Sequence, residues 1–194
     1  HENYNATLQP HFSLDPAQIT AEEPKIALLQ SAGVLEQTVK FDLWAHLTGE
    51  PNRDTALQAY ETKLDQALVA SANYLAQVNE KRAEVITTKT NAELRQKQLL
   101  LTINNLLLAD PASAEVVTKY QAFSMTADQL ARLNSELSLI DQCIKQAKPL
   151  IAKAEIRQKN IQLNRNAIVQ NIQVVDLDDP GLQFIVKPTS AIKN

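Results

Sequence analysis

The first candidates for chemistry in this 194-residue sequence are residues that could hold a metal ion. Asp42, His46 and Glu50 recur at every fourth position, which would place two carboxylates and one imidazole along a single stripe of a helix. Because no second histidine lies nearby, the pattern favours a structural histidine, packed beside Trp44 near a helix end with Asp42 orienting its ring. We therefore predict no metal and no cofactor at this position.

Two other features could bind copper or react covalently. His1 could chelate copper through its amine and ring, with His11 adding a nitrogen, but no third ligand can be identified. The single cysteine, Cys143, lies in an apolar helical stretch without a cysteine or histidine at metal-ligand spacing, so we interpret it as a small core residue.

Motifs of known enzyme classes are missing from the sequence. It contains no P-loop, no dinucleotide fingerprint, no nucleophile elbow and no Glu-x-x-His pair of a di-iron bundle. We therefore expect a protein that is not an enzyme and has no catalytic residues.

Composition indicates helices and argues against nucleic acid as a partner. Only 5% of the residues are aromatic and three are glycine, which is typical of helical proteins rather than sheets. The net charge of -3 arises from 22 acidic and 19 basic residues that are dispersed along the chain, so no segment forms a basic surface for phosphates.

Membrane and location signals are weak. The most apolar window, Leu99–Ala109, contains Thr102, Asn104 and Asn105 and is shorter than the roughly 20 residues that cross a bilayer, so we predict no membrane span. The sequence begins at His1 rather than methionine, and Asn5-Ala6-Thr7 is a glycosylation sequon. These two features favour an extracytoplasmic protein, either secreted, periplasmic or on the cell surface.

The elements that must position any binding residues are long helices. Apolar spacing predicts a first helix from Pro24 to Leu47 and a second from an Asp54 N-cap to Asp110, about 84 Å at 1.5 Å per residue. The spacing fades between Asn79 and Gln98. We expect the helix to continue there, although a break at Thr87–Asn91 is the alternative.

The strongest pattern is a heptad repeat that begins at Leu130 as position a. Twelve of its fourteen a and d positions are apolar, which predicts a coiled-coil seam, with Pro149 outside the seam and bending the helix without ending it. The a and d positions are Leu130, Leu133, Leu137, Ile140, Ile144, Ala147, Ile151, Ala154, Gln158, Ile161, Arg165, Ile168, Ile172 and Val175.

Gln158 and Arg165 are the polar residues of this seam and form a candidate polar core layer. One interpretation is that they fix the register of the helices or contact a ligand. We favour exposure for Gln158, whereas for Arg165 both interpretations stay open, including a contact with an acidic residue such as Asp42, Glu50 or Glu61.

The apolar run from Leu99 to Leu108 must be covered or used as a binding surface. We expect a short helix over Ala112–Phe123, followed by a restart at Thr126, to cover it through residues such as Val117. The alternative is a surface open to a protein partner or a membrane surface. The candidate residues of that partner surface are Leu99, Leu101, Ile103, Leu107 and Leu108.

These patterns together predict an all-α fold. We expect residues 1–194 to form one elongated domain, in which a helical bundle with a long antiparallel coiled-coil hairpin spans residues 20–176. An N-terminal arm over 1–19 and an extended tail over 177–194 flank it. Extended segments at 7–14 and 182–186 are compatible with a short β element joining the termini.

A long helical bundle without catalytic motifs suits binding or spacing. We therefore predict a non-enzymatic protein that mediates protein–protein interaction or structural spacing, with a protein partner that the sequence does not identify. The alternatives are a ligand-sensing helical bundle of a membrane receptor and the soluble form of a helical pore-forming toxin.

Overall fold

The computed structural model describes residues 22–171 and Asp179. The described residues form four helices: α1 (Glu22–Lys40), α2 (Leu43–Thr48), α3 (Arg53–Ala109) and α4 (Ala114–Val169). The two long helices, α3 and α4, pack closely, and no strand occurs in this part of the chain, so the predicted all-α helical hairpin bundle is confirmed. The segments at 7–14 and 182–186, where a β element was predicted, lie outside the described residues.

The predicted first helix is two helices. α1 ends at Lys40, and Asp42 caps the short α2 by accepting a hydrogen bond from the Ala45 amide at 3.0 Å. A carboxylate that satisfies a free amide in this way starts a new helix instead of continuing the old one. The single helix that we predicted from Pro24 to Leu47 is therefore wrong at this point.

The second predicted helix corresponds to α3, but its N-cap residue is not the predicted one. Its N-terminal amide at Thr55 donates to Asn52 Oδ1 at 3.1 Å, so Asn52 rather than Asp54 is the capping residue. α3 continues through residues 87–91 without interruption, and the predicted continuity is confirmed.

α4 begins before the predicted restart at Thr126 and ends at Val169, short of the last predicted seam positions, Ile172 and Val175. Ser113 caps its first turn, since Ser113 Oγ accepts from the Glu115 amide at 3.2 Å, and the helix then passes through Thr126. The Thr126 hydroxyl donates to the Ala122 carbonyl of the same helix, so Thr126 does not cap a new one. The separate covering helix that we predicted over Ala112–Phe123 does not exist.

Two local features interrupt the regular geometry of α4. Pro149 lies inside the helix, which continues on both sides as predicted. Asn164 has non-helical backbone angles, φ -116° and ψ 17°, and its side-chain amide donates to the Asn160 carbonyl at 2.8 Å. After the helix, Asn171 adopts a left-handed conformation with φ 61°, which suits the end of a helix.

The described residues form two compact units, and the first consists of Glu22, Glu23 and the hairpin segment Gln77–Gln142. Between Val78 and Leu99 of this hairpin unit, α3 buries one residue in every seven. These are Val78, Val85, Ala92 and Leu99. The residues three positions later, Lys81, Thr88 and Arg95, are half-buried and polar, so the apolar contact with α4 is narrow. Arg82 and Asp141 form an ion pair of 2.7 Å between the two helices.

The second unit comprises Pro24–Ala76, residues 143–171 and Asp179. All four helices contribute leucine, isoleucine or alanine to its core, which makes it the wider of the two apolar interiors. Its fully buried members include Leu35, Leu43, Leu47, Leu57, Leu64, Ala154, Ile161 and Ile168.

Arg53 joins the first turn of α3 to the last turn of α4 in this unit. Its guanidinium lies 4.3 Å from the centre of the Trp44 ring and donates to the Ile168 carbonyl at 2.9 Å. A cation at this place satisfies a carbonyl that has no partner within the helix. Burial lowers the pKa of Arg53 below its ordinary value.

Candidate functional site

The five residues of the predicted partner surface do not share one environment. Leu99 and Ile103 are buried in the hairpin unit, and Leu107 is half-buried. Leu101 and Leu108 are exposed, with 64% and 86% of their surface accessible. Only these last two are placed where a partner could contact them.

A third exposed leucine extends this pair. Leu94, Leu101 and Leu108 are spaced by seven residues and therefore lie along one side of α3; we call them the leucine stripe. Gln98 and Asn105 lie between the leucines at steps of four and three residues. The stripe thus has the heptad pattern of a helix that packs against a second helix, with leucine at d and an amide at a.

Val117, which we expected to cover this region, is itself exposed. Val117 has 61% of its surface accessible, whereas its neighbour Val116 is buried. Consecutive side chains of a helix point in different directions, and α4 is a continuous helix here. The Val116 side chain therefore faces the interior, whereas the Val117 side chain points away from the interior. The expectation that Val117 occupies a packed site is wrong.

Gln158 and Arg165, the candidate polar core layer, are half-buried and both contact α3. The Gln158 amide donates to Asp65 at 3.2 Å. Arg165 donates to Glu61, one of the acidic residues expected for it, and to Asp54 at 2.8 Å. These contacts join α3 and α4 at the margin of the core, and the ligand-binding interpretation of the layer stays a prediction.

Among the described residues, Arg157 is the charged residue that is fully buried, and we did not predict it as a site residue. Its side chain is 1% exposed and donates to both oxygens of Asp179, at 2.9 and 2.6 Å. Its Nη1 atom also donates to the Tyr60 hydroxyl at 2.8 Å and the Phe41 carbonyl at 3.1 Å. Burial alone would lower the pKa of Arg157, but the hydrogen bonds to Asp179 and Tyr60 raise it above its ordinary value.

This network fixes the position of Tyr60. The phenol donates to the Thr38 carbonyl at 2.5 Å while it accepts from Arg157, so both hydrogen-bonding functions of its oxygen are used. Burial raises the pKa of Tyr60, and the hydrogen bond from Arg157 partly opposes that shift. The Tyr60 ring is therefore held rigidly at the surface of a groove.

The groove lies between α1, α2 and the first turns of α3 and has a volume of about 650 Å³. One wall is formed by Val34, Gln37 and Thr38 on a single face of α1 and by Phe41, the residue that follows the helix. The facing wall on α3 carries small side chains, including Ala56 and Ala59.

Phe41, which is 42% exposed, provides the aromatic surface of this groove. Its ring stacks on Tyr60 with a centroid distance of 5.9 Å and meets the His46 ring edge-on at 5.4 Å. His46 also lies 3.8 Å from Glu50. His46 therefore packs against Phe41, whereas Asp42, expected to orient its ring, caps α2, and Trp44, expected beside it, contacts Arg53.

Several polar groups at the groove have no partner within the part of the chain that the structure describes. They are the side chains of Gln37, Thr55 and Lys63, all of which are exposed. The Glu50 carboxylate at the groove lies close to His46 and not to Lys63. Lys63 is therefore a cation at the groove that forms no ion pair among the described residues.

The remaining predicted features have simple environments. Cys143 is buried and its thiol donates to the Lys25 carbonyl at 3.4 Å. Within residues 22–171 and Asp179, no three His, Cys, Asp or Glu side chains are grouped to hold a metal ion. No helix in the same part of the chain has the length and hydropathy that crossing a bilayer requires. His1 and His11 lie outside the described residues.

No family model, curated protein or solved structure matches this chain.

Proposed function

We propose that this chain is a non-enzymatic interaction protein that binds a helix of a partner protein along the leucine stripe of α3. The observation that carries the proposal is the exposure of Leu94, Leu101 and Leu108 at seven-residue spacing. Single exposed leucines are ordinary on protein surfaces, but a regular line of them on one helix face is typical of helix–helix recognition.

The side-chain amides that lie between the leucines favour binding of a specific partner rather than a nonspecific apolar contact. Gln98 and Asn105 occupy the a positions, where a polar residue selects a partner that can satisfy it. A membrane surface would favour apolar residues at the same positions. The stripe therefore suits a helix with leucine at d and a polar residue at a matching a position.

The proposal is tested by photo-crosslinking in native cells. A photoreactive amino acid at Leu101 is expected to form one discrete adduct with a partner, at a site that maps to an amphipathic helix. The same group at Leu139, which is also half-exposed but lies on α4, is the matched control and is expected to give no adduct. The double variant Leu94→Asp/Leu108→Asp is expected to keep its helical melting curve and to lose the adduct.

Other outcomes contradict the proposal. An adduct with lipid, or with a second copy of the chain, would assign the stripe to a different occupant. Equal adducts at Leu101 and Leu139 would show that the stripe has no special role.

We further propose an extracytoplasmic location, supported by the sequon Asn5-Ala6-Thr7. Fractionation of native cells is expected to recover the protein outside the cytoplasm, with mass spectrometry reporting the state of Asn5. Recovery with cytosolic markers would contradict this location.

A further inference from the structure

We infer that the groove between α1, α2 and α3 is a binding site for a small amphipathic anion with a flat aromatic body. This site is separate from the leucine stripe, because its lining residues lie between Val34 and Lys63. Its volume of about 650 Å³ falls within the range of about 300–1,000 Å³ that is typical of small-molecule sites.

The aromatic part of the ligand is indicated by the rings already present. Phe41 stacks on Tyr60 at 5.9 Å and meets His46 edge-on at 5.4 Å, and it still exposes 42% of its surface, so part of it stays accessible to a ligand. Aromatic rings prefer offset or edge-on neighbours at about 4.5–7 Å, and a planar ligand would extend the arrangement. The methyl groups of Ala56 and Ala59 on the facing wall leave space for such a ring.

The groove is preorganised for this ligand. Tyr60 is held by the Thr38 carbonyl at 2.5 Å and by Arg157 at 2.8 Å, and Arg157 is held by Asp179. A wall that is already rigid loses little conformational entropy when a ligand binds. The buried ion pair therefore acts through Tyr60 as a positioning element of the site.

The anionic group is indicated by the charges at the groove. The Glu50 carboxylate lies 3.8 Å from His46, whereas Lys63 has no counter-charge among the described residues. The Gln37 amide and the Thr55 hydroxyl line the same space and can donate hydrogen bonds to an anion. A carboxylate or sulfonate on a planar body matches these groups.

The test is isothermal titration calorimetry of the full chain with 2-naphthoate as the probe. Saturable binding with one site is expected. The neutral analogue 2-naphthalenemethanol tests the anionic group, and decanoate tests whether a flexible chain replaces the flat ring. Lys63→Gln is expected to weaken naphthoate about twofold to fivefold, the size of an exposed charge contact.

The decisive variant is one that fills the groove. Ala59→Phe is expected to weaken naphthoate at least about tenfold, because the added ring occupies the ligand's volume. Ala72→Phe is the matched control, since Ala72 is an exposed alanine of α3 that does not line the groove, and it is expected to bind as the wild type does. Phe41→Leu removes the stacking ring without adding volume and is expected to weaken binding at least about threefold.

The assignment is overturned if naphthoate shows no saturable binding or if both Ala59→Phe and Phe41→Leu bind as the wild type does. Tighter binding of decanoate than of naphthoate would overturn the aromatic assignment. Equal binding of the neutral alcohol would overturn the anionic one.

Discussion

Arg157 and Asp179 form a doubly hydrogen-bonded ion pair in which both side chains are almost completely removed from solvent, at 1% and 4% exposure. The two residues lie 22 positions apart in sequence, and the pair joins α4 to the segment that follows it. A buried ion pair is weak evidence for net stabilisation, but removal of one partner leaves an uncompensated charge.

Asp179→Ala is therefore expected to lower the free energy of unfolding by about 3–5 kcal/mol, since it leaves the buried Arg157 guanidinium without its counter-ion. The measurement is urea denaturation followed by circular dichroism. Arg165→Gln is the control, because Arg165 is half-exposed, and its loss is expected to cost less than about 1 kcal/mol. Equal effects of the two substitutions would contradict the burial of the Arg157–Asp179 pair.

Stability is expected to fall at alkaline pH. Burial raises the pKa of Cys143 above its ordinary value of 9.0 and that of Tyr60 above 10.0. The folded state holds these protons more tightly than the unfolded state does. The contribution of the two groups to the free energy of unfolding is therefore complete below pH 9 and is lost as the pH rises through their pKa values in the folded state. Urea midpoints between pH 8 and 10.5 are expected to decline.

Cys143→Ala removes the first of these two groups, so the decline in this variant is expected to begin at higher pH. An identical pH profile in the wild type and in Cys143→Ala would show that the thiol does not contribute.

The narrow apolar contact of the hairpin unit depends on single residues. Val85 is fully buried, whereas the adjacent Ile86 is 38% exposed. Val85→Asp is expected to destabilise by about 3–5 kcal/mol, because it forces a charge into a packed site. Ile86→Asp introduces the same group one position away and is expected to cost less than about 1 kcal/mol. Similar urea midpoints for the two variants would mean that α3 does not bury this face.

Pro149 lies in the interior of α4, where it supplies no amide hydrogen to the helix. Because its side chain is exposed, Pro149→Ala is expected to restore a backbone hydrogen bond without opening a cavity, and to stabilise by about 1–3 kcal/mol. Lys148→Ala, an exposed neighbour with an intact amide, is expected to be nearly neutral. Thermal melts of the two variants decide the matter, and a lower midpoint for Pro149→Ala would refute it.

The long helices are predictable from the sequence because the buried residues on each side of their contact recur at a regular interval. Every predicted d position from Leu133 to Ile168 is buried, which shows that the register was read correctly in α4. The fading in α3 has a physical cause: between Val78 and Leu99 the buried residue of each heptad is followed by a half-buried polar one, such as Lys81 or Arg95. A pattern search that expects two apolar residues per heptad misses this seam.

The candidate sites were harder to predict because they depend on contacts between separate elements. Arg157 lies one position before Gln158 and is a charged residue in a polar stretch, so nothing in its neighbourhood indicates burial. The groove requires the break between α1 and α2 at Asp42, which replaced the predicted single helix. Spacing within one helix did group Leu101 with Leu108, but only burial separated them from Leu99 and Ile103.

The seven-residue interval at which α3 and α4 bury their side chains restricts how this hairpin can change length during evolution. Seven residues turn a helix to within about 20° of its starting direction, whereas a deletion of one or two residues turns every later side chain away from its neighbour. If seven residues are deleted from each helix at positions that face each other, the remaining buried side chains of α3 and α4 keep their packing partners. Homologous hairpins of different length are therefore expected to differ by matched steps of seven residues, one step in each helix.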